Sequence, residues 1–444
     1  MDHFHYRHGE LYCEEVPVRA IAGATQQQGA GTPCYVYSTA TILDHYNRLN
    51  AAFAPLKPLV CFSIKSCGNL SICRLLGSHG AGMDLVSGGE LHRAILAGVD
   101  PRLCVYAGVG KTDEEIRHSL QAGVGWFNVE SEAEFENISR IAAQLRIECR
   151  AALRINPDVD PRTHRYTTTG KKETKFGVDL ERARAFFRTY GNDTWCALRG
   201  IHLHLGSPIY SATPYVESIH KVLALMDDLA ADRANPLRIE MLDLGGGFGA
   251  DYETSQSPGA ADYAAEIIPL LRDRATDGLQ IILEPGRSII ANAGVLLIRV
   301  LYVKKSGEKT FAICDGGMNT LIRPSHYDAF HFIWPAQVPD GFVPQRRAKE
   351  MNMQGLVPVD VVGPICETGD FLAIDRPLPP VKRGDLLAVY TAGAYGMVMA
   401  SRYNAMPLPA EVLVDGSKAM MVRRRETYDD LTSHELAPIP LSFA

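Results

Sequence analysis

A (β/α)₈ barrel of the TIM type, joined to an all-β domain, is the fold class this sequence predicts. Three observations predict it. Apolar runs and helical patterns alternate eight times from Pro58 onward, and chemically capable residues sit at or just beyond the C-terminal ends of several runs. After about residue 295 the texture changes to β-branched stretches broken by Gly and Pro. Strands are expected near 59–64, 82–86, 103–107, 125–129, 150–155, 198–204, 239–244 and 280–284. Between them, stretches such as Ser87-Gly88-Gly89-Glu90-Leu91 and Glu132-Ala133-Glu134-Phe135 combine cap residues or early acids with apolar positions at helical spacing. An open, doubly wound sheet is the alternative arrangement of the same alternation. Inserts around 156–178, 205–215 and 245–260 all follow strands, which places them on the face where a barrel carries its active site.

Ahead of the barrel, Thr32-Pro33-Cys34-Tyr35-Val36-Tyr37 reads as a strand of the β domain, because the helix near 40–54 leads straight into the first barrel strand. The β domain itself shows in Val295-Leu296-Leu297-Ile298, Thr310-Phe311-Ala312-Ile313 and Leu386-Leu387-Ala388-Val389-Tyr390. The expected organisation is an N-terminal segment 1–40 contributing to the β domain, a barrel over 41–295, and the C-terminal β domain over 296–444. The length of 444 residues, at about 150 per domain, is compatible with this division.

Composition narrows the function. Apolar content of 46%, charged content of 22% and a net charge of −6 describe an ordinary globular chain with no basic stripe for nucleic acid. The dense run Arg423-Arg424-Arg425 is followed at once by Glu426 and reads as a solvated strand edge or tail. No segment reaches the 18 or so apolar residues that would cross a membrane, and the N-terminus lacks the pattern of a secretory signal. Ten cysteines run from Cys13 to Cys366 without CxxC spacing, which suits reduced thiols and a cytoplasmic location. His202 and His204 share a strand face, but no further ligands follow at metal-site spacing, so no metal is expected.

The residues able to do chemistry gather at the strand ends. Lys65 closes the first run, where an ammonium is of use only to a carboxylate or an electrophile. Gly245-Gly246-Gly247 follows the seventh strand, where bare backbone N–H groups of a barrel commonly hold phosphate; a flexible turn is the competing reading. Glu284-Pro285-Gly286-Arg287 ends the eighth strand, and its carboxylate could keep a heteroaromatic nitrogen protonated unless it merely pairs with Arg287. His204 could lie on a planar ring with Ser207 offering a hydroxyl, although a lone histidine is more often a satisfied core residue. Asp84 and Arg154 supply an anion and a cation near the same mouth, or pair with neighbours. In the β domain, Cys366-Glu367 couples a proton-carrying thiol with a carboxylate for an ammonium.

In order, Phe62-Ser63-Ile64-Lys65, His204-Leu205-Gly206-Ser207, Gly245-Gly246-Gly247, Glu284-Pro285-Gly286-Arg287, Cys366-Glu367 and Ala394-Tyr395-Gly396 resemble the alanine-racemase-fold, pyridoxal-phosphate-dependent decarboxylases over nearly the whole chain. Ser66-Cys67 and Pro208 depart from that pattern. The resemblance implies a barrel with a Greek-key, barrel-like β domain and pyridoxal 5'-phosphate as cofactor. It further implies that Lys65 holds the cofactor covalently, that His204 stacks on its ring and that Glu284 meets its nitrogen. Asp84 and Arg154 belong to the same cofactor site. The phosphate falls to Gly245, Gly246, Gly247, Gly286, Arg287, Ser207 and Tyr395. Arg287, Arg323, Tyr327 and Tyr395 are implied as substrate-binding, with Cys366 and Glu367 completing the site of a partner subunit in a homodimer. Two arginines opposite a distal carboxylate, and Glu367 opposite a distal ammonium, favour meso-diaminopimelate, giving L-lysine, over ornithine, arginine or carboxynorspermidine. A racemase and a non-catalytic carrier of the same cofactor are the competing classes; release of carbon dioxide separates them from a decarboxylase.

Overall fold

In the computed structural model, which describes residues 2–160 and 175–441, eight short strands pair edge to edge into a closed, all-parallel barrel. They are β1 (Leu59–Ser63), β2 (Gly82–Leu85), β3 (Cys104–Tyr106), β4 (Trp126–Val129), β5 (Cys149–Ile155), β6 (Cys196–Leu203), β7 (Met241–Asp243) and β8 (Gln280–Leu283). Closure is made by β8 on β1, with Ile282 opposite Leu59 and Leu283 opposite Val60. That pairing excludes the open doubly wound sheet. Most strands lie within the expected ranges and stop one or two residues short of them. Most of the insert expected at 156–178 lies outside the described residues; the other two are the loops between β6 and the helix Thr213–Ala231 and between β7 and the helix Ala260–Thr276.

The chain divides into two compact units, Thr41–Asn292 and Met1–Ala40 together with Ala293–Ala444. Within the first, the barrel interior is built in tiers. Cys61, Val105, Trp126, Ala152, Met241 and Ile282 pack together as an apolar tier. Since strand side chains alternate, the residues two positions further along the same strands point inward again, one step closer to the C-terminal mouth. Those residues are Ser63, Ala107, Asn128, Arg154, Asp243 and Glu284, all buried and all but Ala107 polar. Two positions beyond them come Lys65, Gly245 and Gly286, and along β6 the same steps lead from Gly200 to His202 to His204. Gly200 has a packing reason: a Cβ there would stand 2.7 Å from Ala152 Cβ and 3.0 Å from Met241 Cε. Each fully buried apolar side chain of the lower tier contributes about 1.5–3 kcal/mol.

In the second unit, the strand Cys34–Ser38 is buried along its full length; it runs antiparallel to Gly294–Ser306 and parallel to Ala410–Asp415. Gly294–Ser306 also pairs with Lys309–Cys314 and Leu386–Val389, so this long strand joins the two wings of a nine-stranded sheet. A separate small sheet, Phe4–Arg7, Glu10–Cys13 and Val16–Pro17, precedes the helix Val18–Gln27. Among the described residues no helix is long and apolar enough to cross a membrane.

Candidate active site

After β1 the chain makes one helical turn, Ile64–Ser66, and this turn directs Lys65 back to β2, where its Nζ donates to Asp84 Oδ2. Asp84 is fully buried, and the same oxygen accepts from Ser63 Oγ at 2.6 Å. Burial raises the Asp84 pKa and the charge of Glu284 adds to the rise, while Lys65 pulls it back. Asp84 is thus an anion that accepts a proton more readily than an ordinary aspartate, beside an amine that carries one.

Glu284, just past β8, is 2% exposed. Its Oε2 lies 3.5 Å from His202 Nε2, and its Oε1 accepts from Asn128 Nδ2 at 3.3 Å. The same amide nitrogen donates to Asp243 Oδ2 at 3.2 Å, and the other Asp243 oxygen accepts from Gly245 N at 2.8 Å. Burial alone would raise the Glu284 carboxyl, but His202 and Lys65 outweigh it and hold it well below the usual carboxylate range. Asp243 goes the other way: burial, then the neighbouring Glu284 charge, push it well above its ordinary value. Two adjacent acids are therefore pushed in opposite directions, as in an interacting carboxyl pair. The competing Glu284–Arg287 ion pair is not how Glu284 is held; its neighbours are His202, Asn128 and, at 3.9 Å, His204 Nδ1. Buried His202, Asp243 and Glu284 bring ligand atoms within 4.8 Å of one another, a spacing that could also hold a metal ion and that the sequence did not disclose.

His204 stands above this tier. Gly246 N donates to its Nδ1 at 3.3 Å, which leaves any ring proton on Nε2, and burial followed by the Arg154 and Lys65 charges drives its pKa well below 6.5. It is a neutral imidazole. The glycine turn below it is required by backbone approach: a Cβ at Gly245 would stand 2.2 Å from Leu203 O, at Gly246 2.3 Å from Glu284 O, and at Gly247 2.5 Å from Gly206 O. Gly245 and Gly247 also hold φ of 69° and 103°, values costly for other residues. Beside the turn, buried Arg287 donates through Nε to Ser207 Oγ at 3.0 Å and through Nη1 to Tyr252 OH at 2.6 Å. Gly286 packs against Ser63 and Ser66, with 2.9 Å from its would-be Cβ to each side chain. Arg154 pairs with Glu130 at 2.9 Å, both buried, and its guanidinium lies 4.6 Å from the centre of the Phe176 ring. Lys65, Asp84, His204, Ser207, the three glycines, Glu284, Gly286, Arg287 and Arg154 are thus supplied by one barrel unit.

The remaining expected residues belong to the β unit. Arg323 opens the short helix Arg323–Tyr327, is 6% exposed, and its Nη1 lies 3.2 Å from His331 Nε2; Tyr327 is half-buried. Cys366 and Glu367 are exposed in the loop 363–370, where Cys366 N donates to Asn404 Oδ1 at 3.0 Å and Glu367 Oε2 accepts from Tyr403 OH at 2.9 Å. Asp370 ties this loop to the turn that leads to Arg323: it accepts from Ile365 N and from Met318 N, each at 2.6 Å. Ser401 N donates to Asn319 O at 2.9 Å, which brings in the segment following Tyr395. Tyr395 itself is half-buried with a left-handed φ of 54°. Three motifs far apart in sequence thus converge within the unit.

Asn128, His202, Asp243, Glu130 and Tyr252 were not singled out by sequence as site residues. For Asn128, His202 and Asp243 a signal exists: each is a polar residue inside an apolar strand, two positions beyond a residue of the barrel's inner tiers.

Residues 39–291 match the family model described as pyridoxal-dependent decarboxylase, pyridoxal binding domain. The chain is 44% identical to the diaminopimelate decarboxylase of Pseudomonas aeruginosa, over 98% of this chain and 99% of that protein. Among solved structures it is similar to the diaminopimelate decarboxylase of M. jannaschii in co-complex with L-lysine, with a TM-score of 0.88, 34% identity and 98% of each chain covered. The enzyme of Helicobacter pylori complexed with L-lysine gives a TM-score of 0.84 at 37% identity, covering 93% of this chain and 99% of that one. The polar tiers of the barrel therefore lie in a member of the pyridoxal-dependent decarboxylases, and within that family the chain belongs with the diaminopimelate decarboxylases.

Proposed function

We propose that this protein removes one carboxyl group from meso-2,6-diaminopimelate to give L-lysine, the last step of lysine biosynthesis, with pyridoxal 5'-phosphate as cofactor. The observation that carries the reading is an ionised, buried Glu284 in the same barrel mouth as Lys65 and a neutral His204. This set suits the cofactor group by group. An amine suits its aldehyde, an uncharged imidazole suits the face of its ring, a permanent carboxylate suits a protonated ring nitrogen, and Arg287, Ser207 and the glycine turn suit its phosphate. When bound, pyridoxal phosphate supplies an electron-poor ring that takes up the electron pair left when the carboxylate bond breaks.

The residues divide the remaining work. Lys65 Nζ forms the covalent link, and Asp84 Oδ2 receives or returns the proton that the amine must shed before it can react. Glu284 keeps the ring nitrogen protonated, which deepens electron withdrawal. Gly245, Gly246, Gly247, Gly286, Arg287, Ser207 and Tyr395 bind the phosphate, and Arg154 lowers the charge that His204 can carry. Arg287, Arg323, Tyr327 and Tyr395 bind substrate carboxylate. Cys366 Sγ delivers a proton to carbon, and Glu367 receives the distal ammonium. Because Cys366 and Glu367 are exposed in the β unit, they serve the site of a second subunit in a homodimer. The protein works in the cytoplasm, where its ten free cysteines stay reduced.

Carbon dioxide release measured side by side from meso-diaminopimelate, ornithine, arginine and carboxynorspermidine tests the reading. Diaminopimelate is expected to be preferred; preference for any of the other three defeats the specificity claim. A racemised amino acid with no gas released defeats the reaction itself.

A further inference from the structure

The buried tier below the cofactor residues contains one neutral side chain that bridges two acids. Asn128 has two amide hydrogens on Nδ2, and two carboxyls face that nitrogen: Asp243 Oδ2 at 3.2 Å and Glu284 Oε1 at 3.3 Å. Its main chain is braced separately. Lys111, whose side chain is 1% exposed, donates from Nζ to Asn128 O at 3.0 Å, to Gly108 O at 2.8 Å and to Glu134 Oε1 at 2.6 Å. Glu134 in turn accepts from Glu130 N at 3.0 Å, so this buried pair spans the loop after β3 and the end of β4. A buried ion pair adds little stability once its desolvation is counted, and is better explained as a device that fixes geometry.

We propose that Asn128 is a positioning residue: by donating one N–H to each acid it fixes the placement of Asp243 and Glu284 relative to each other, and Lys111 with Glu134 holds Asn128 in register. This rests on the cofactor reading given above. The charged and titratable groups facing the two acids are His202 and His204 from β6 and its loop, Lys65 after β1, and Asp84 on β2. They act by charge, and His202 also by a hydrogen bond to Glu284, whereas Asn128 donates a hydrogen bond to both acids. Removing its donors takes a hydrogen bond from each of two buried carboxyls that lie close together, which shifts the protonation equilibrium they share.

The test uses the full-length protein and pyridoxal phosphate. Asn128→Leu keeps the volume and removes the donors. The cofactor affinity of the stripped protein is expected to fall about tenfold, the pH midpoint of the visible spectral transition of the loaded protein to move, and kcat to fall about tenfold with KM little changed. Lys111→Met is expected to shift the midpoint in the same direction, and to add nothing in the Asn128→Leu background, since it acts through that residue. If the leucine variant fails to fold, Asn128→Ala gives the same reading. An unmoved midpoint with unchanged affinity overturns the proposal, as do strictly additive effects of the two substitutions. A wild-type protein that binds no pyridoxal phosphate instead defeats the cofactor reading itself, and the two failures are therefore distinct.

Discussion

Lys65 and Cys366, the two side chains assigned to covalent attachment and to proton delivery, stand in opposite surroundings. Around Lys65 the fold has placed Asp84, Asp243 and Glu284, each no more than 2% exposed, in a tier one pleat above hydrocarbon. Cys366 and Glu367 are exposed on a loop, held by hydrogen bonds to Asn404 and Tyr403. Charges in a dry tier act on one another strongly, so their protonation states are set by the fold before any ligand arrives. On an exposed loop, solvent and salt screen such charges. On the function proposed above, the barrel unit fixes the electronics, and Arg323, Tyr327, Tyr395, Cys366 and Glu367 of the β unit meet substrate together with Arg287 of the barrel.

The largest effect should come from the dry side. Lys65→Ala is expected to lower turnover by about a thousandfold or more and to abolish the visible absorbance of protein incubated with pyridoxal phosphate; a variant that keeps both breaks the comparison at its root. On the wet side, Cys366→Ala should leave that absorbance intact while reducing kcat about a hundredfold, and equal loss of cofactor would place the thiol in the wrong half of the division. Glu367→Gln should raise KM for diaminopimelate about tenfold with little change in kcat, the reverse of a dry-side defect.

The smallest effect concerns Glu90, in the first turn of the helix Gly88–Leu96, which accepts from Val86 N at 2.7 Å. Burial raises its pKa to about 7. A carboxyl whose folded pKa lies above its unfolded value contributes stability at low pH that is lost as pH rises through the folded value. The melting temperature of the wild type should therefore fall between pH 5 and pH 8 relative to Glu90→Gln, by a few degrees. Melting curves of the two proteins that coincide across that range would show that the dry region stops short of this helix.

The fold was legible because buried parallel strands leave near-continuous apolar runs, and eight of them with helices between favour a barrel, while closure itself shows only in the pairing of β8 with β1. The sheet formed by Phe4–Arg7, Glu10–Cys13 and Val16–Pro17 was not legible: strands of two to four residues carry too few alternations to stand out. In the site, Lys65, Asp84, Glu284 and Gly245–Gly247 announced themselves as polar or glycine positions at strand ends. Asn128 and His202 lie within strands, where the inward parity had to be known first, and parity follows from cross-strand register that a sequence does not display. The pairing of Arg154 with Glu130, 24 residues apart, was foreseen only as a generic possibility, since side-chain partners across a loop depend on its path.

Asp370 has a dynamic consequence. Its two carboxylate oxygens hold one amide from the turn at Met318 and one from the loop at Ile365, while Gly317 and Gly363 approach so closely that a Cβ on Gly317 would lie 2.6 Å from the Gly363 Cα. In heavy water, the Met318 and Ile365 amides should therefore exchange through a single shared opening, so that the thiol loop and the segment leading to the Arg323 helix fluctuate as one cooperative body.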